Sequence, residues 1–240
     1  MHMESSIWTL LSWGPQGWLD DIAYGVFITV SLALATLPLG LFIGFMVAVA
    51  KQSSEPSLRL AGNIYTTIFR GLPELLTLFL VFYGAQLGVQ QVVRLLSPGT
   101  TIEINSFVAG MVALGVVFSS YASEVFLSAF RAIPIGQYEG GYSIGLSKGQ
   151  TMRLVVLPQL IRIALPGLSN LWLALLKDTA LVSVIGLSDI LRQASIAARV
   201  TKESFLFFGV ACVAYLILAI LSSFGIGAIE RSVGKTEMQR

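Results

Sequence analysis

Two ionisable residues lie side by side in an apolar stretch of the chain. Lys177 and Asp178 are the charged residues between Trp172 and Val182, in a run that is otherwise leucine, alanine and threonine. A charge at the centre of a membrane span is costly unless it faces protein or water, so such residues usually have a function. Neighbours on a helix are about 100° apart, so both cannot point the same way. We expect one to pair across helices and the other to face a pathway for a polar solute.

Three more ionisable residues fall in apolar stretches. Glu74 and Glu124 are acidic and Arg70 is basic, which gives three acids and two bases when Lys177 and Asp178 are included. An amino acid carries an ammonium and a carboxylate, so a cavity with charges of both signs suits it, and the surplus of acids favours a cationic solute. A position near the membrane edge is the structural alternative for Glu124.

The other polar candidates also have structural alternatives. Arg70 and Glu74 are four residues apart, so on one helix they would share a face and could form an interfacial clamp. Lys177 and Asp178 could lie at a subunit interface. Asn170 could contact solute, or it could hydrogen-bond to a neighbouring helix.

The composition is that of a membrane protein. Of the 240 residues, 55% are hydrophobic and 12% are charged, and the mean hydropathy is +0.80, whereas a soluble domain carries roughly 25% charged residues. The net charge of +2, without a basic run, argues against a nucleic-acid partner. Cys212 is the only cysteine and His2 the only histidine, which excludes an intrachain disulfide and a cysteine–histidine metal cluster.

Two motifs bear on enzymatic activity. The segment from Gly145 to Gly149 formally matches the G-x-S-x-G elbow of hydrolases, but that chemistry needs a histidine base and a preceding strand. The G-x-x-x-x-G-K-[ST] loop that binds phosphates does not occur. We therefore expect no enzymatic activity, no metal and no cofactor on this chain, so energy for transport must come from another protein.

Five apolar runs are long enough to cross a bilayer, which takes about 20 residues. They cover approximately residues 23–50, 60–93, 106–130, 161–187 and 205–229. Pro38 should kink the first run. Gly40 with Gly44 offers a face for close helix packing, or the pair simply reflects how common glycine is in membrane helices. These runs predict an all-α membrane protein with five transmembrane helices.

The lysines and arginines of the connecting segments set the orientation. With the N-terminus outside, nine lie inside and four outside. The inside residues are Lys51, Arg59, Arg131, Lys148, Arg153, Arg162, Arg231, Lys235 and Arg240, and the outside residues are Arg94, Arg192, Arg199 and Lys202. An outer N-terminus and an inner C-terminus are therefore predicted.

One inside loop is long and covers residues 131–160. Pro134 can open a helix there, and Gly145 or Gly149 can close it. The sequence predicts a short helix across the cytoplasmic surface, suited to contact a cytoplasmic protein. A disordered connector is the alternative.

The same loop resembles a motif of a transporter family. Glu139-Gly140-Gly141, then Gly145, then Val155-Val156-Leu157-Pro158 is similar in spacing to the EAA loop of ABC importer permeases, with glycines for both alanines and Val155 for isoleucine. Other segments resemble the subfamily that imports histidine, arginine, glutamine and opines, and the likeness covers about residues 22–231. These segments are Arg70–Glu74, Tyr121–Glu124, Pro134–Gln137, Leu157–Gln159, Leu165–Asn170 and Leu175–Leu181.

The resemblance implies a fold, a location and partners. Family members have a five-helix core in the bacterial inner membrane and pair with a like or identical permease, which differs from the first in the histidine and opine members. Two cytoplasmic ATPase subunits, which carry ATP and Mg²⁺, grip the EAA loops, and a periplasmic binding protein delivers the solute. The resemblance thus assigns coupling to Glu139, Gly140, Gly141, Gly145, Leu157 and Pro158. We expect Glu74, Asn170, Lys177 and Asp178 to line the substrate pathway.

The sequence and the resemblance together predict three segments along the chain, a class of solute and a mode of transport. A periplasmic N-terminal segment is expected over residues 1–21, a transmembrane permease domain over 22–231 and a cytoplasmic tail over 232–240. The solute would be a polar, cationic amino acid or an opine, with neutral or acidic amino acids such as glutamine and glutamate as the alternative. A self-sufficient secondary transporter or channel is the rival function, and the lack of an evident inverted repeat argues against a secondary transporter.

Overall fold

The computed structural model describes residues 7–97 and 103–235, and every regular element in these ranges is helical. The helices are α1 (Ile7–Leu10), α2 (Leu19–Lys51), α3 (Pro56–Gly71), α4 (Glu74–Leu96), α5 (Ser106–Ala132), α6 (Ile135–Ser143), α7 (Lys148–Thr151), α8 (Leu157–Asp178), α9 (Ile190–Thr201) and α10 (Ser204–Lys235). A π-helical turn over Met152–Val156 joins α7 to α8, and a 3₁₀ helix over Thr179–Ile185 follows α8. His2, the start of the predicted periplasmic segment and residues 236–240 of the predicted tail lie outside the described residues.

Five helices in the described ranges are long and apolar enough to cross a membrane, as predicted. They are α2, α4, α5, the continuous helix Lys148–Ile185, and α10 over Ser204–Ser232. The first, third and fifth spans begin and end within a few residues of their predicted bounds. Large apolar side chains such as Phe42, Leu80 and Phe224 are exposed, as lipid-facing residues of a span should be.

The second predicted span is two helices rather than one. The backbone leaves the helical region at Leu72, with φ −93° and ψ 145°, because the residue before a proline disfavours that region and Pro73 follows. Arg70 therefore lies in the last turn of α3, and Glu74 begins α4. The prediction that these two side chains share one helix face was wrong.

The fourth span begins earlier than predicted, because the helix is continuous from Lys148. Pro158 has no N–H, and in a regular helix its ring would clash with the carbonyl of Leu154. The π-helical turn before it absorbs this misfit, and the Leu157 N–H donates to the Met152 carbonyl five residues back. The predicted loop over 131–160 thus consists of α6 and the base of the fourth span.

The chain divides into two compact units. The first contains residues up to Thr36, Leu75–Leu114 and Leu175–Leu221, and its core includes Ile22, Ile190 and Phe207. The second contains Leu37–Glu74, Gly115–Ala174 and residues from Ser222 onward.

Small residues let α2 pack closely on α5 in the second unit. A Cβ at Gly40 would lie 2.4 Å from Phe118 Cδ1, and one at Gly44 would lie 2.9 Å from Ala122 Cβ. The predicted close-packing face of Gly40 and Gly44 is confirmed.

Candidate functional site

A cluster of three charges joins three helices of the second unit. Lys51 ends α2, Arg70 lies in the last turn of α3, and Glu124 lies in α5. Lys51 Nζ contacts Glu124 Oε1, and Arg70 Nη1 lies 3.5 Å from the same oxygen. The Lys51 side chain is only 8% exposed, so Glu124 compensates a charge that is almost removed from water.

Neighbouring residues fix the geometry of this cluster. Lys51 Nζ also donates to Thr66 Oγ1 at 3.1 Å. The Arg70 guanidinium lies over the Tyr121 ring, 5.5 Å from its centroid, within the range of a cation–π interaction. Gly62 leaves room for the Lys51 stem, since a Cβ there would lie 2.7 Å from Lys51 Cγ.

Glu124 also lines an open cavity of about 370 Å³ between α5 and α8. The other lining residues are Val125, Ser128, Ala129, Ile163 and Gly167. Gly167 permits the close approach of the two helices, because a Cβ there would lie 2.7 Å from Val125 Cγ1. A concave site with apolar walls and a few polar groups can orient a small polar solute, and the carboxylate of Glu124 is suited to an ammonium or guanidinium group.

The cluster changes the charge balance inferred from the sequence. Lys51, expected in an inside loop, pairs with Glu124, so the acids in question no longer outnumber the bases. The acids are Glu74, Glu124 and Asp178, and the bases are Lys51, Arg70 and Lys177. The excess of acidic residues that favoured a cationic solute is therefore gone, and the number of charged residues no longer indicates the charge of the solute. Lys51 and Glu124 are 73 residues apart, and nothing in the sequence connects them.

The four predicted pathway residues lie outside the lining of the Glu124 cavity. Glu74 begins α4, where the helix dipole favours a carboxylate. Lys177 is exposed in the last turn of α8, and Asp178 ends that helix half-buried. Asn170 is exposed seven residues before Lys177, so these two side chains lie on one face of α8.

The short helix predicted in the long loop over residues 131–160 is α6, and both of its predicted boundary signals are confirmed. Pro134 precedes its first residue. Gly145 follows its end with φ +85°, a conformation that suits glycine. The Gly145 N–H donates to the Tyr142 carbonyl at 3.0 Å, and the Leu146 N–H donates to the Gly141 carbonyl at 3.1 Å. This pair of bonds is the Schellman ending of a helix.

Helix α6 packs on the base of the fourth span, and two of its contacts there are specific. Gln159 Nε2 donates to Gln137 Oε1 at 3.0 Å. Gly141 is buried against Thr151, and a Cβ at Gly141 would lie 2.6 Å from Thr151 Cγ2. These contacts join α6 to the base of the fourth span.

The outer surface of α6 and its following turn combines charge with apolar area. Glu139 is exposed, Ile135 and Ile144 are 74% and 77% exposed, and Tyr142 is 44% exposed. Apolar side chains around a charge are typical of a protein interface. We call this surface, formed by Ile135, Glu139, Tyr142 and Ile144, the α6 surface.

Ser147, the serine of the formal hydrolase motif, has a structural role. Its Oγ accepts from the Gln150 N–H at 3.3 Å, and its own N–H donates to Gln150 Oε1 at 2.9 Å. This reciprocal capping box starts α7.

Alanine should have opposite effects at the two adjacent glycines of α6, Gly140 and Gly141. Gly140 faces open space, so Gly140→Ala is expected to stabilise α6 by up to about 1 kcal/mol. Gly141→Ala would push its methyl group into Thr151 and lower the Tm of the purified complex. The double variant Gly141→Ala/Thr151→Ala removes the clashing atoms, including a buried Oγ without a hydrogen-bond partner, and should recover the Tm. Equal Tm changes for the two single variants would contradict this packing.

Asp189 is a buried acid of the first unit that sequence reasoning missed. Its carboxylate accepts from the N–H groups of Leu191 and Arg192 at 3.3 and 3.0 Å and thereby caps α9. Tyr215 Oη donates to Asp189 Oδ2 at 3.3 Å. A Cβ at Gly25 would lie 2.9 Å from the Asp189 carbonyl. An aspartate directly before an amphipathic run is a helix-start signal, so the sequence did contain the clue to α9.

The pH dependence of stability should report on Asp189. Burial raises its pKa from 3.8 to about 6, although the N–H groups of α9 oppose the rise. The folded state then binds the proton more tightly than the unfolded state, so this residue's contribution to stability is full below about pH 4 and is lost as the pH rises through about 6. A pKa rise of this size corresponds to a change of roughly 3 kcal/mol in the free energy of unfolding between low pH and pH values above 6.

The measurement is the Tm of the purified complex between pH 4 and 7 for the wild type and Asp189→Asn. The wild type should lose stability relative to the variant, which cannot ionise, as the pH rises. Parallel curves would contradict the assignment.

A protein-family profile and several curated proteins match most of the chain. The profile described as binding-protein-dependent transport system inner membrane component matches residues 37–235. The nopaline transport system permease protein of Agrobacterium fabrum is 42% identical over 224 residues, which cover 93% of this chain and 95% of that protein. The arginine ABC transporter permease protein of Haemophilus influenzae is 40% identical over 206 residues, or 85% and 89% of the two chains. The histidine/lysine/arginine/ornithine transport system permease protein of Escherichia coli is 37% identical over 223 residues, or 91% and 96%.

Solved structures share the fold. A crystal structure of an amino acid ABC transporter with histidines matches with a TM-score of 0.76 at 30% identity, covering 90% of this chain and 95% of that one. An inward-facing methionine ABC transporter matches with a TM-score of 0.70 at 20% identity, covering 90% and 97%. The second match supports the fold alone. The predicted fold class, the five-helix core of an importer permease, is confirmed.

Proposed function

The chain belongs to the family of binding-protein-dependent transport system inner membrane components, and we propose that it is the permease subunit of an ATP-driven importer for a cationic amino acid or an opine. The observation that carries this proposal is the 42% identity with a nopaline permease over 93% of the chain. Relatives named for arginine and for histidine, lysine, arginine and ornithine also match along most of their lengths. Lysine and arginine side chains are cationic at pH 7, so these names favour a cationic solute.

The Glu124 cavity is proposed as part of the solute pathway. The assignment of Glu74, Asn170, Lys177 and Asp178 to that pathway stays a prediction from the sequence. A cationic solute at Glu124 would take the place of Arg70 on the carboxylate, while Lys51 keeps its contact. The Arg70 side chain is 45% exposed, so its displacement costs little, whereas displacing the nearly buried Lys51 would leave its charge uncompensated. A site whose own charges balance can therefore still accept a cation.

The proposed energy source is a cytoplasmic ABC ATPase dimer that holds ATP and Mg²⁺. The α6 surface would dock on it. The connection from that surface to the fourth span is shaped by Gly140, Gly141, Gly145, Leu157 and Pro158. Rigid-body movement of α6 with the span would then couple hydrolysis to a change of access. A second, homologous permease forming a heterodimer and a periplasmic solute-binding protein complete the proposed importer.

Asp178→Asn should reduce uptake of cationic amino acids more than uptake of neutral ones. Removing one acid from the pathway weakens the attraction for a cation, whereas a neutral side chain does not depend on it. Uptake of arginine and glutamine by cells with the complete importer would be compared, with Asp20→Asn, an exposed acid in the first turn of α2, as the control. Equal losses for both solutes would indicate a structural ion pair.

The function itself is tested by ATPase stimulation in the assembled complex with its binding protein. We expect arginine, lysine, ornithine, nopaline or octopine to stimulate hydrolysis most strongly. Stimulation by glutamine or glutamate alone would overturn the cationic assignment and favour the alternative solute class.

A further inference from the structure

A groove of about 370 Å³ in the first unit lies among the 3₁₀ helix Thr179–Ile185, α9 and the first turns of α10. Its polar lining residues are Ser183, Arg192, Ser195, Arg199 and Ser204, and Phe208 adds an aromatic wall. None of the pathway or coupling residues named above lines it. The groove is therefore separate from the functions assigned so far.

The groove carries two positive charges, because the hydrogen bonds of its two arginines to backbone carbonyls do not neutralise them. Arg192 Nη1 donates to the Ser183 carbonyl at 3.2 Å, and Arg199 Nε donates to the Ser195 carbonyl at 3.2 Å. A guanidinium has five N–H donors and stays charged, and a carbonyl oxygen does not neutralise it. The groove thus presents donors and charge suited to phosphate oxygens.

The acidic residues nearest in sequence face other groups. Asp189 is fully buried and engaged with the N–H groups of α9 and the Tyr215 hydroxyl. Glu203 is exposed and lines a neighbouring apolar cavity with Phe205. The described lining of the groove contains no carboxylate to pair with the ammonium of a zwitterionic headgroup. This composition favours an anion with no cationic group of its own.

The groove lies at the end of a membrane span. Ser204 is the first residue of the fifth span, and Phe208 is one turn further in. Phe205 beside them is 96% exposed. Arg192 and Arg199 lie in α9, between the fourth and fifth spans. Long basic side chains next to the ends of spans reach toward the headgroups, so this position suits the headgroup of a lipid.

The sequence gives an independent reason to expect an anion here. Three of the four basic residues on the predicted outer side lie close together, namely Arg192, Arg199 and Lys202. Basic residues on that side run against the inside-positive bias of membrane proteins. A local anionic ligand would offset this cost.

We propose that this groove binds the headgroup phosphate of an anionic phospholipid, with Arg192 and Arg199 at the phosphate oxygens and the first acyl carbons against Phe208. The lipid would stabilise the packing of α9 against the fifth span. An acidic surface of the binding protein is the competing occupant, and the experiment separates the two.

The experiment measures lipid retention by native mass spectrometry of the assembled complex. The probes are phosphatidylglycerol and phosphatidylethanolamine, added at equal concentration in detergent. The wild type should prefer phosphatidylglycerol. The double variant Arg192→Gln/Arg199→Gln should lower that preference about 30-fold, and Arg199→Gln alone should lower it roughly fivefold. The reason is that each basic residue near an anionic lipid strengthens binding by a factor of roughly five. Arg199→Gln keeps the Arg192–Ser183 bond, so its result stands even if the double variant fails to assemble.

The control is Arg94→Gln, which removes an exposed charge of the predicted outer side in the last turn of α4 and should retain the wild-type preference. No preference in the wild type, or an unchanged preference in Arg199→Gln, would overturn the proposal. An unchanged lipid preference with a higher half-saturating concentration of binding protein for ATPase stimulation would assign the groove to that protein instead.

Discussion

Glu139→Arg is expected to abolish uptake while the protein still inserts and folds. Glu139 is exposed on the α6 surface, so reversing its charge disturbs no internal packing. If docking buries Glu139 against a basic residue of the ATPase, loss of this partner should cost about 2–5 kcal/mol, or roughly 30-fold or more in docking affinity. Uptake in cells and retention of the ATPase during purification would both be measured, and both should fall.

The matched control for this reversal is Glu55→Arg. Glu55 is also exposed and lies in the predicted cytoplasmic connection before α3, where its side chain makes no capping bond. It should transport like the wild type. Normal uptake by Glu139→Arg, or an equal loss in Glu55→Arg, would exclude α6 as the specific docking element.

Removing Glu124 is expected to have the largest effect on stability. Glu124→Ala would leave the nearly buried ammonium of Lys51 without its carboxylate. Breaking a buried pair costs about 3–5 kcal/mol, and we expect about 2–4 here, because Glu124 is 31% exposed. The Tm of the purified complex and its yield would both fall. Arg70→Gln should cost much less, since the Arg70 side chain is 45% exposed.

The double variant Lys51→Met/Glu124→Gln separates stability from transport. It removes both charges together, so most of the Tm should return. If Glu124 receives the cationic solute, uptake should remain lost although the protein is stable. Recovery of uptake along with the Tm would limit Glu124 to a structural role, and a Glu124→Ala variant as stable as the wild type would contradict the ion pair itself.

Local signals in the sequence predicted much of this fold. The apolar runs located the five spans, Pro134 and Gly145 bounded α6, and Gly40 with Gly44 marked a close contact between helices. These signals act over a few residues, through proline and glycine backbone preferences and the length of a bilayer crossing. The break at Leu72 was equally local, but the apolar residues on both sides of Pro73 hid it.

The site depended on contacts that no local pattern carries. The Lys51–Glu124 pair joins residues 73 positions apart, and it altered the charge balance from which a cationic solute was first inferred. The contact of Gly141 with Thr151 likewise explains why glycine stands where the resembling family motif has alanine. Both result from how helices pack, which hydropathy and spacing do not determine.

Uptake by reconstituted proteoliposomes tests the central claim most directly. Radiolabelled arginine uptake would be compared between vesicles that contain the complete importer and vesicles that contain this chain alone, with the binding protein outside in the medium and ATP inside. We predict that uptake requires the ATPase, the second permease, the binding protein and ATP together. Sustained uptake by this chain alone would show that it is a self-sufficient transporter and would contradict the account.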